Sequence, residues 1–289
     1  MKFYKLLWRD ALILPNALLQ RAIFSVLLFS FLYVSFVFEV FHYFPAELEL
    51  PENINRLGVS LGDLILVEIG GTLPRVTATK SQIVMFPAAF FVVQIIPCGF
   101  TLNYLNDDLS RGGIQVLIRL GDMRIWWLSK CLRGIATAVL FYAVGFSCWA
   151  LLCAATGKSL SLVPNASVFE AIFSAYFTNA AQPPVSFFVS MLILPILATV
   201  TLSLCEMTLT LFIRPIYAFL AICVYLIMGL YIISPAFLTN YAASVRSATI
   251  GVYNFSPVYG VGLCLAICTV AVTVGAVRVR SIDIVGERG

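Results

Sequence analysis

Three arginines in a short polar segment are the side chains best suited to specific recognition in this largely apolar chain. Arg111, Arg119 and Arg124 lie within residues 106–124, between two long apolar runs. A connector that only reverses the chain direction needs a few residues, so this length predicts a further role. Charged side chains on a partly helical connector suit the docking of a soluble partner. They also suit a helix lying on a membrane surface, and both interpretations stay open.

The middle of this connector predicts a short helix with one apolar face. Ile114, Leu117 and Ile118 have the spacing that brings side chains together on one side of a helix, whereas Arg119 points elsewhere. Such a helix can insert its apolar face into a groove of a partner protein. We therefore expect these residues to form the contact surface of the connector.

The composition predicts that lipid surrounds most of the chain. Of the 289 residues, 61% are hydrophobic and 11% are charged, and the mean hydropathy is +0.98. A soluble domain is about 25% charged. The net charge of +4 is modest, so nucleic acid is not an expected partner. The eight cysteines lie in or beside apolar runs without a CxxC pair, which predicts buried apolar side chains and no metal site.

Six apolar runs predict an all-α membrane protein that forms a single transmembrane domain over 1–289. The runs are 22–44, 82–105, 125–155, 185–213, 215–234 and 255–277. Each has about the length that a membrane span requires. The third run is longer, so its start is expected to project into the cytoplasm with Trp126 and Trp127 at the interface.

The sequence also predicts the arrangement of three segments outside these runs. Residues 1–21 predict an amphipathic helix on the membrane surface. Residues 45–81 predict an acidic external loop, in which Leu64–Ile69 has strand-like composition. The link at 235–254 is apolar enough to return toward the membrane.

The basic residues orient the spans. One side carries 13 of the 18 basic residues and the other carries five, and the richer side is expected to be cytoplasmic. The 13 are Lys2, Lys5, Arg9, Arg21, Arg111, Arg119, Arg124, Lys130, Arg133, Arg214, Arg278, Arg280 and Arg288, and the five are Arg56, Arg75, Lys80, Lys158 and Arg246. Both termini are therefore predicted to be inside, in a multi-pass protein of the bacterial plasma membrane.

A few polar residues fall within the predicted spans. Glu206 should be paired or wetted, with Arg214 as one partner, in either a structural ion pair or an inner gate. Gln94 and Pro97 lie in the middle of the second run, where they either line a translocation path or pack against a neighbouring helix. Glu39 and His42 either form an interfacial polar pair or bind a proton or substrate.

One short segment resembles the end of a phosphate-binding loop. Residues 156–159 read Thr-Gly-Lys-Ser, but the complete motif needs glycine where this chain has Leu152. We therefore expect no nucleotide site, no catalytic residue and no bound cofactor on this chain.

The connector and its surroundings resemble those of ABC-2-type permeases, the membrane subunits of ATP-binding cassette exporters. In that family an acidic residue, then arginine and glycine, commonly ends the second span, and a coupling helix follows. Here Asp107 and Asp108, Arg111-Gly112, the helix at 114–120, Arg124 and Lys130 stand in those places. The family often has proline near Gly121, where this chain has none.

The resemblance implies a half-sized permease. Two such subunits, identical or paired with a similar chain, would form the pathway, and separate ATPase subunits would bind ATP and Mg²⁺ beneath them. Asp107, Asp108, Arg111, Ile114, Leu117, Ile118, Arg119 and Arg124 would couple the two parts. The apolar spans favour a hydrophobic or amphipathic cargo, such as a peptide, lipid-like molecule or drug.

Two other classes of protein stay open. An ion-coupled secondary transporter would be expected to carry more ionisable residues in its spans than this chain has. A membrane enzyme would be expected to carry clustered His, Asp, Glu or Ser, which the sequence lacks, whereas an assembly factor would need only a polar loop that contacts lipid.

Overall fold

The computed structural model describes residues 15–38, 59–71, 87–108, 123–165, 185–248 and 255–281. Within these ranges the regular secondary structure is helical, which confirms the all-α class. The helices are α1 (Pro15–Phe38), α2 (Leu61–Ile69), α3 (Ala88–Thr101), α4 (Tyr104–Asp108), α5 (Met123–Ala155), α6 (Val185–Leu209), α7 (Pro215–Tyr231), α8 (Leu238–Ala242) and α9 (Pro257–Arg280), with a 3₁₀ turn at Ser244–Arg246.

Four helices are long and apolar enough to cross a membrane. They contain the segments Leu19–Phe38, Met123–Ala155, Ser190–Leu209 and Pro257–Arg280. Two further apolar helices, α3 and α7, have 14 and 17 residues. At about 1.5 Å per residue, α3 alone covers about 21 Å of a hydrocarbon core about 30 Å thick. The described chain thus supports a membrane-embedded helical protein with four candidate spans.

Helix α6 forms the centre of the bundle. It packs against α3, α5, α7 and α9, while α1 packs mainly on α5. Sixty-seven per cent of the Ser190–Leu209 segment is buried, compared with 22% in α9. The peripheral helices therefore expose apolar side chains, as expected where lipid is the solvent.

Two glycines permit close helix contacts. A Cβ atom on Gly145 of α5 would lie 2.3 Å from the ring of Phe29 on α1, and one on Gly275 of α9 would lie 2.2 Å from the indole of Trp127. Trp127 also donates a 2.9 Å hydrogen bond to the carbonyl of Val272. Trp126 and Trp127 are thus buried between helices, and the expectation that they lie at the depth of the membrane interface stays a prediction. Small residues at this contact admit the indole ring.

The segment Leu64–Ile69 lies within a helix, so the strand prediction was wrong. The reason lies at the preceding residues, where Ser60 and Asp63 form a capping box at the start of α2. Asp63 Oδ2 accepts from the Ser60 amide at 2.8 Å, and Ser60 Oγ accepts from the Asp63 amide at 3.3 Å. Nearly all of α2 is buried, so its largely apolar composition resembles that of a buried strand.

Helix α2 is tied to the segment that follows α5. The Leu61 amide donates to the Ser159 carbonyl at 2.9 Å, and the Asn165 amide donates to Asp63 Oδ1 at 3.1 Å. Burial raises the pKa of Asp63, and hydrogen bonds from Ser60 and Asn165 oppose that shift. These contacts join two loop segments that the basic-residue count assigns to the same outer side.

The link after α7 is anchored by a buried arginine. Arg246 donates to the carbonyls of Gly229 at 2.8 Å and Leu230 at 2.6 Å, and also to the side-chain oxygen of Asn240. Its cationic group thus binds the carbonyl end of α7, where the helix dipole is negative. Within the described part of 235–254, most of the link from 238 to 247 is buried in the protein. The expected return of this link toward the membrane stays a prediction.

The N-terminal prediction is corrected in part. Residues 15–21 continue without a break into the span of α1, so a separate surface helix does not extend to residue 21. The first 14 residues lie outside the described ranges.

Candidate functional site

The connector is described only at its two ends. The described chain stops at Asp108 and resumes at Met123. Arg111, Ile114, Leu117, Ile118 and Arg119 lie outside it, as does the side chain of Asp107. The predicted coupling helix therefore stays a prediction, while the helices that would receive its motion can be examined.

The inner clasp, named for the predicted cytoplasmic side and formed by Asp108, Trp126 and Lys130, joins these two ends. Asp108 Oδ2 lies 3.1 Å from Lys130 Nζ and accepts a 2.9 Å hydrogen bond from Trp126 Nε1. Lys130 is fully buried and the Asp108 side chain is 16% exposed. Because removal of one partner from a buried ion pair leaves a desolvated charge, the clasp holds α4 against α5. Arg124, at the start of α5, is exposed.

Two arginines extend this network to α1. Arg133 donates to the Tyr104 hydroxyl at 3.1 Å, and its guanidinium lies 4.1 Å from the centre of the Tyr104 ring. Arg21 of α1 donates to the Phe100 carbonyl at 2.9 Å and to Thr137 Oγ1 at 3.3 Å. In the sequence, both arginines count only as charges on the predicted cytoplasmic side. The structure joins α1, α3, α4 and α5 through them.

A buried polar stripe runs between α3 and α6. It consists of Gln94, Cys98 and Thr101 on α3 and of Thr199, Ser203 and Glu206 on α6. Thr199 Oγ1 donates to Gln94 Oε1 at 2.5 Å, Cys98 Sγ lies 3.6 Å from Ser203 Oγ, and Thr101 Oγ1 donates to Glu206 Oε2 at 2.8 Å. Tyr142 of α5 joins through a 2.8 Å hydrogen bond with Thr199.

The spacing of the stripe was a signal that sequence reasoning could have used. On each helix its three residues stand at positions i, i+4 and i+7, the spacing of one helix face. Gln94 was selected as a pathway residue, whereas Thr199, Ser203 and Thr101 were missed. A single threonine or serine in an apolar run does not predict a polar contact. Three such positions at the same helical spacing in each of two runs predict a polar contact between the two helices.

Both prolines of these helices lie beside the stripe. Pro97 lies within α3 and Pro195 within α6, and a proline within a helix leaves the carbonyl four residues earlier without its usual donor, here those of Val93 and Met191. The Pro195 carbonyl lies 3.4 Å from Gln94 Nε2 and 2.9 Å from Thr199 Oγ1. Polar side chains of the stripe thus lie beside the proline of α6, at a place where a membrane helix commonly bends.

Glu206 is paired differently from the sequence expectation. Between the described residues Glu206 and Arg214 there is no ion pair, because α6 ends at Leu209 and the turn carries Arg214 to an exposed position before α7. Thr101 is the partner of Oε2, and Oε1 has no hydrogen-bond partner among the described residues. A carboxyl group held in a span by a neutral hydroxyl marks a functional position by default.

Glu39, His42 and the segment 156–159 are the remaining positions that the sequence singles out. Glu39 and His42 lie outside the described ranges. In the segment resembling a phosphate loop, Lys158 lies 5.3 Å from the Tyr33 ring and 5.5 Å from the Phe36 ring, and burial lowers its pKa. These contacts bind the segment to α1. Among the described residues, no group of three His, Cys, Asp or Glu could hold a metal ion.

Comparison with protein-family models, with curated proteins and with solved structures finds no match to this chain.

Proposed function

We propose that this chain is the membrane subunit of an ATP-driven exporter of the ABC-2 type that its sequence resembles. The observation that carries this proposal is the inner clasp. It ties both ends of the charged connector 106–124 to buried positions in α4 and α5. A connector that served only as a surface turn would not need to be anchored at both ends by a buried charge pair.

In this proposal six helices cross the bacterial plasma membrane, and both termini are cytoplasmic. The shorter helices α3 and α7 complete the set, with the bilayer thinned locally or the neighbouring residues included in the span. A second permease subunit, identical or similar, supplies the other half of the path. A separate ATPase binds ATP and Mg²⁺, and this chain hydrolyses none.

The clasp and the polar stripe suggest how force would travel. An ATPase that moves the connector would pull on Asp108 and Met123, and the clasp would transmit the motion to α4 and α5. Tyr142 joins α5 to Thr199, so the displacement would reach the contact between α3 and α6. Repacking along this stripe would alternate access between the two sides of the membrane.

The test is co-purification from the source cells, with the tagged full chain as bait. We expect a soluble ATPase to be recovered in stoichiometric amount, and ATP hydrolysis to appear only with that subunit. A Lys130→Met variant removes the cation of the clasp and keeps the length of the side chain, and should weaken recovery of the ATPase. The exposed Arg280→Met serves as the matched control. Hydrolysis by the single chain would contradict the division of roles.

The topology predicts opposite labelling of two engineered cysteines. In a background whose native cysteines are replaced, a cysteine at position 157 should react with an impermeant maleimide from outside intact cells. A cysteine at position 119 should react only after the membrane is opened. The reason is the distribution of 13 against five basic residues. Access to both positions from the same side would contradict the orientation.

A second candidate function is ion-coupled secondary transport, and Glu206 is the observation that favours it. Its Oε1 is buried in the stripe without a hydrogen-bond partner among the described residues, as a site for a transported proton or cation requires. For the exporter we expect no proton flux through the chain alone in liposomes that contain a pH-sensitive dye.

Glu206→Gln separates the two functions, because glutamine keeps an acceptor for Thr101 and cannot ionise. If the chain is an exporter, permease-stimulated ATP hydrolysis should change by less than about tenfold, which corresponds to 1.4 kcal/mol. Glu206→Leu, which also loses the hydrogen bond, is the control for packing. A proton flux in the wild type that Glu206→Gln abolishes would favour the secondary transporter.

A further inference from the structure

An apolar groove follows the seam between α1 and α5. Its inner part, about 180 Å³ in volume, is lined by Ala22, Ser25, Phe141 and Val144 among others. A further cavity of about 570 Å³ continues outward from Val144 along the same two helices. On α5 the two parts extend from Thr137 to Leu152, or about 22 Å at the helical rise. One leaflet of hydrocarbon is about 15 Å thick, so the groove can hold an extended alkyl chain.

Arg21 stands at the inner end of this groove and lines it. It lies near the start of the Leu19–Phe38 segment, where a span meets the headgroups. Its hydrogen-bond partners among the described residues are neutral, namely the Phe100 carbonyl and the Thr137 hydroxyl. A guanidinium has five N–H donors, so donors remain for another acceptor.

Arg133 brings a second positive charge to the same place. It lies one turn before Thr137 on α5, and it is close enough to Arg21 for the two charges to repel. Its partner is the neutral Tyr104, and its Nε has no hydrogen-bond partner among the described residues. The carboxylate nearest in the network, Asp108, is paired with Lys130. Within the described chain, neither arginine forms an ion pair with a carboxylate.

Position along the helix places both arginines at headgroup depth. Helix α5 has 33 residues and is therefore about 50 Å long, which exceeds the hydrocarbon core by about 20 Å. The first ten residues, which end just before Arg133, can account for most of this excess. The charged end of the groove thus lies at the membrane surface while the apolar part lies within the bilayer.

We propose that this groove is a binding site for an anionic phospholipid of the inner leaflet. The lipid phosphate lies between Arg21 and Arg133, where guanidinium groups bind phosphate oxygens with charge-assisted hydrogen bonds. One acyl chain occupies the groove between α1 and α5. The charge complementarity selects an anion, and the continuous apolar groove selects an amphiphile over a free anion. The proposal depends on the membrane embedding of α1 and α5 and, for the choice of leaflet, on the proposed orientation, and not on the identity of the energy source.

The test uses the purified full chain in detergent and two probes with identical chains, dioleoyl phosphatidylglycerol and dioleoyl phosphatidylcholine. Native mass spectrometry measures the retention of each. We expect the wild type to bind the anionic lipid about tenfold more tightly, which corresponds to 1.4 kcal/mol. Arg133→Gln should abolish most of this preference, whereas Arg133→Lys should keep part of it. The exposed Arg280→Gln, at the end of α9, is the matched control and should retain the full preference.

The groove is tested separately with Ala22→Phe, which fills it from the lipid-facing side. This variant should lose retention of both lipids by about tenfold, and gel filtration should report a folded, monodisperse protein. Equal retention of the two lipids by the wild type would refute the proposal, as would unchanged preference in Arg133→Gln. Full competition by millimolar inorganic phosphate would indicate an anion site only. Unchanged lipid retention in Ala22→Phe would exclude the groove as the binding site of the acyl chain.

Discussion

Replacing Arg246 with methionine is expected to destabilise the protein by about 3–5 kcal/mol, at the link that follows α7. Methionine has a similar length but no donor. It would leave the carbonyls of Gly229 and Leu230 and the side-chain oxygen of Asn240 without the hydrogen bonds that Arg246 supplies. Each buried acceptor that loses its donor costs about 1–3 kcal/mol. The favourable interaction with the carbonyl end of α7 is lost as well.

The measurement is reversible unfolding of the purified chain in mixed micelles, followed by circular dichroism. Arg246→Lys keeps the charge but cannot bind the two backbone carbonyls and the Asn240 side chain in the same geometry, so an intermediate loss is expected. Arg280→Met removes an exposed arginine and should change the free energy of unfolding by less than about 0.5 kcal/mol. A loss below about 1 kcal/mol in Arg246→Met would mean that water or another donor replaces the guanidinium.

The second large effect concerns Leu117, which lies in the part of the connector outside the described residues. If the apolar face of the connector docks in an ATPase groove, Leu117→Asp removes an anchor and places a charge at a packed interface. Anchors of this kind contribute about 2 kcal/mol or more to binding, equivalent to a loss of affinity of about thirtyfold. We therefore expect a folded membrane protein that no longer retains its ATPase.

The measurement is recovery of the ATPase with the tagged permease, alongside the ATP hydrolysis of the mixture. Leu117→Met keeps the apolar contact and serves as the matched control. Arg119→Glu tests the charged flank and should cost about 1 kcal/mol if that side chain is exposed. Normal retention and hydrolysis in Leu117→Asp would identify the connector as a membrane-surface turn. The exporter proposal would then lose its main support.

Some residues of the candidate site can be predicted from the sequence, but their partners cannot. The connector, Glu206 and Gln94 can be selected because a polar residue is conspicuous in an apolar chain. Glu206 meets Thr101, which lies on another helix and 105 positions away, and Asp108 meets Lys130 across the connector. Contacts between distant positions depend on which faces of two helices meet, and no local pattern specifies that choice.

The faces along which two helices meet are harder to predict from sequence in a membrane protein than in a soluble protein. A soluble helix separates an apolar face from a polar face, so the buried side is visible in the sequence. In α1 and α9 both the packed and the lipid-facing sides are apolar. Trp127 is an example. An aromatic residue at the end of a span suits the membrane interface, but the sequence does not show that this ring packs against Gly275 on α9.

The sequence by itself determined the helical class and the association with a membrane. Apolar runs of this length cannot leave backbone groups unpaired in lipid, and a helix satisfies those groups within one segment. Local polar residues could also have predicted α2, since its start depends on Ser60 and Asp63 only. Tertiary structure alone decided that Arg246 binds the carbonyl end of α7, that Arg21 and Arg133 lie near one end of a groove with no carboxylate partner among the described residues, and that the polar residues of α3 and α6 form one stripe. These features arise from the packing of separate helices, whose energies depend on the shape and charge of both partners.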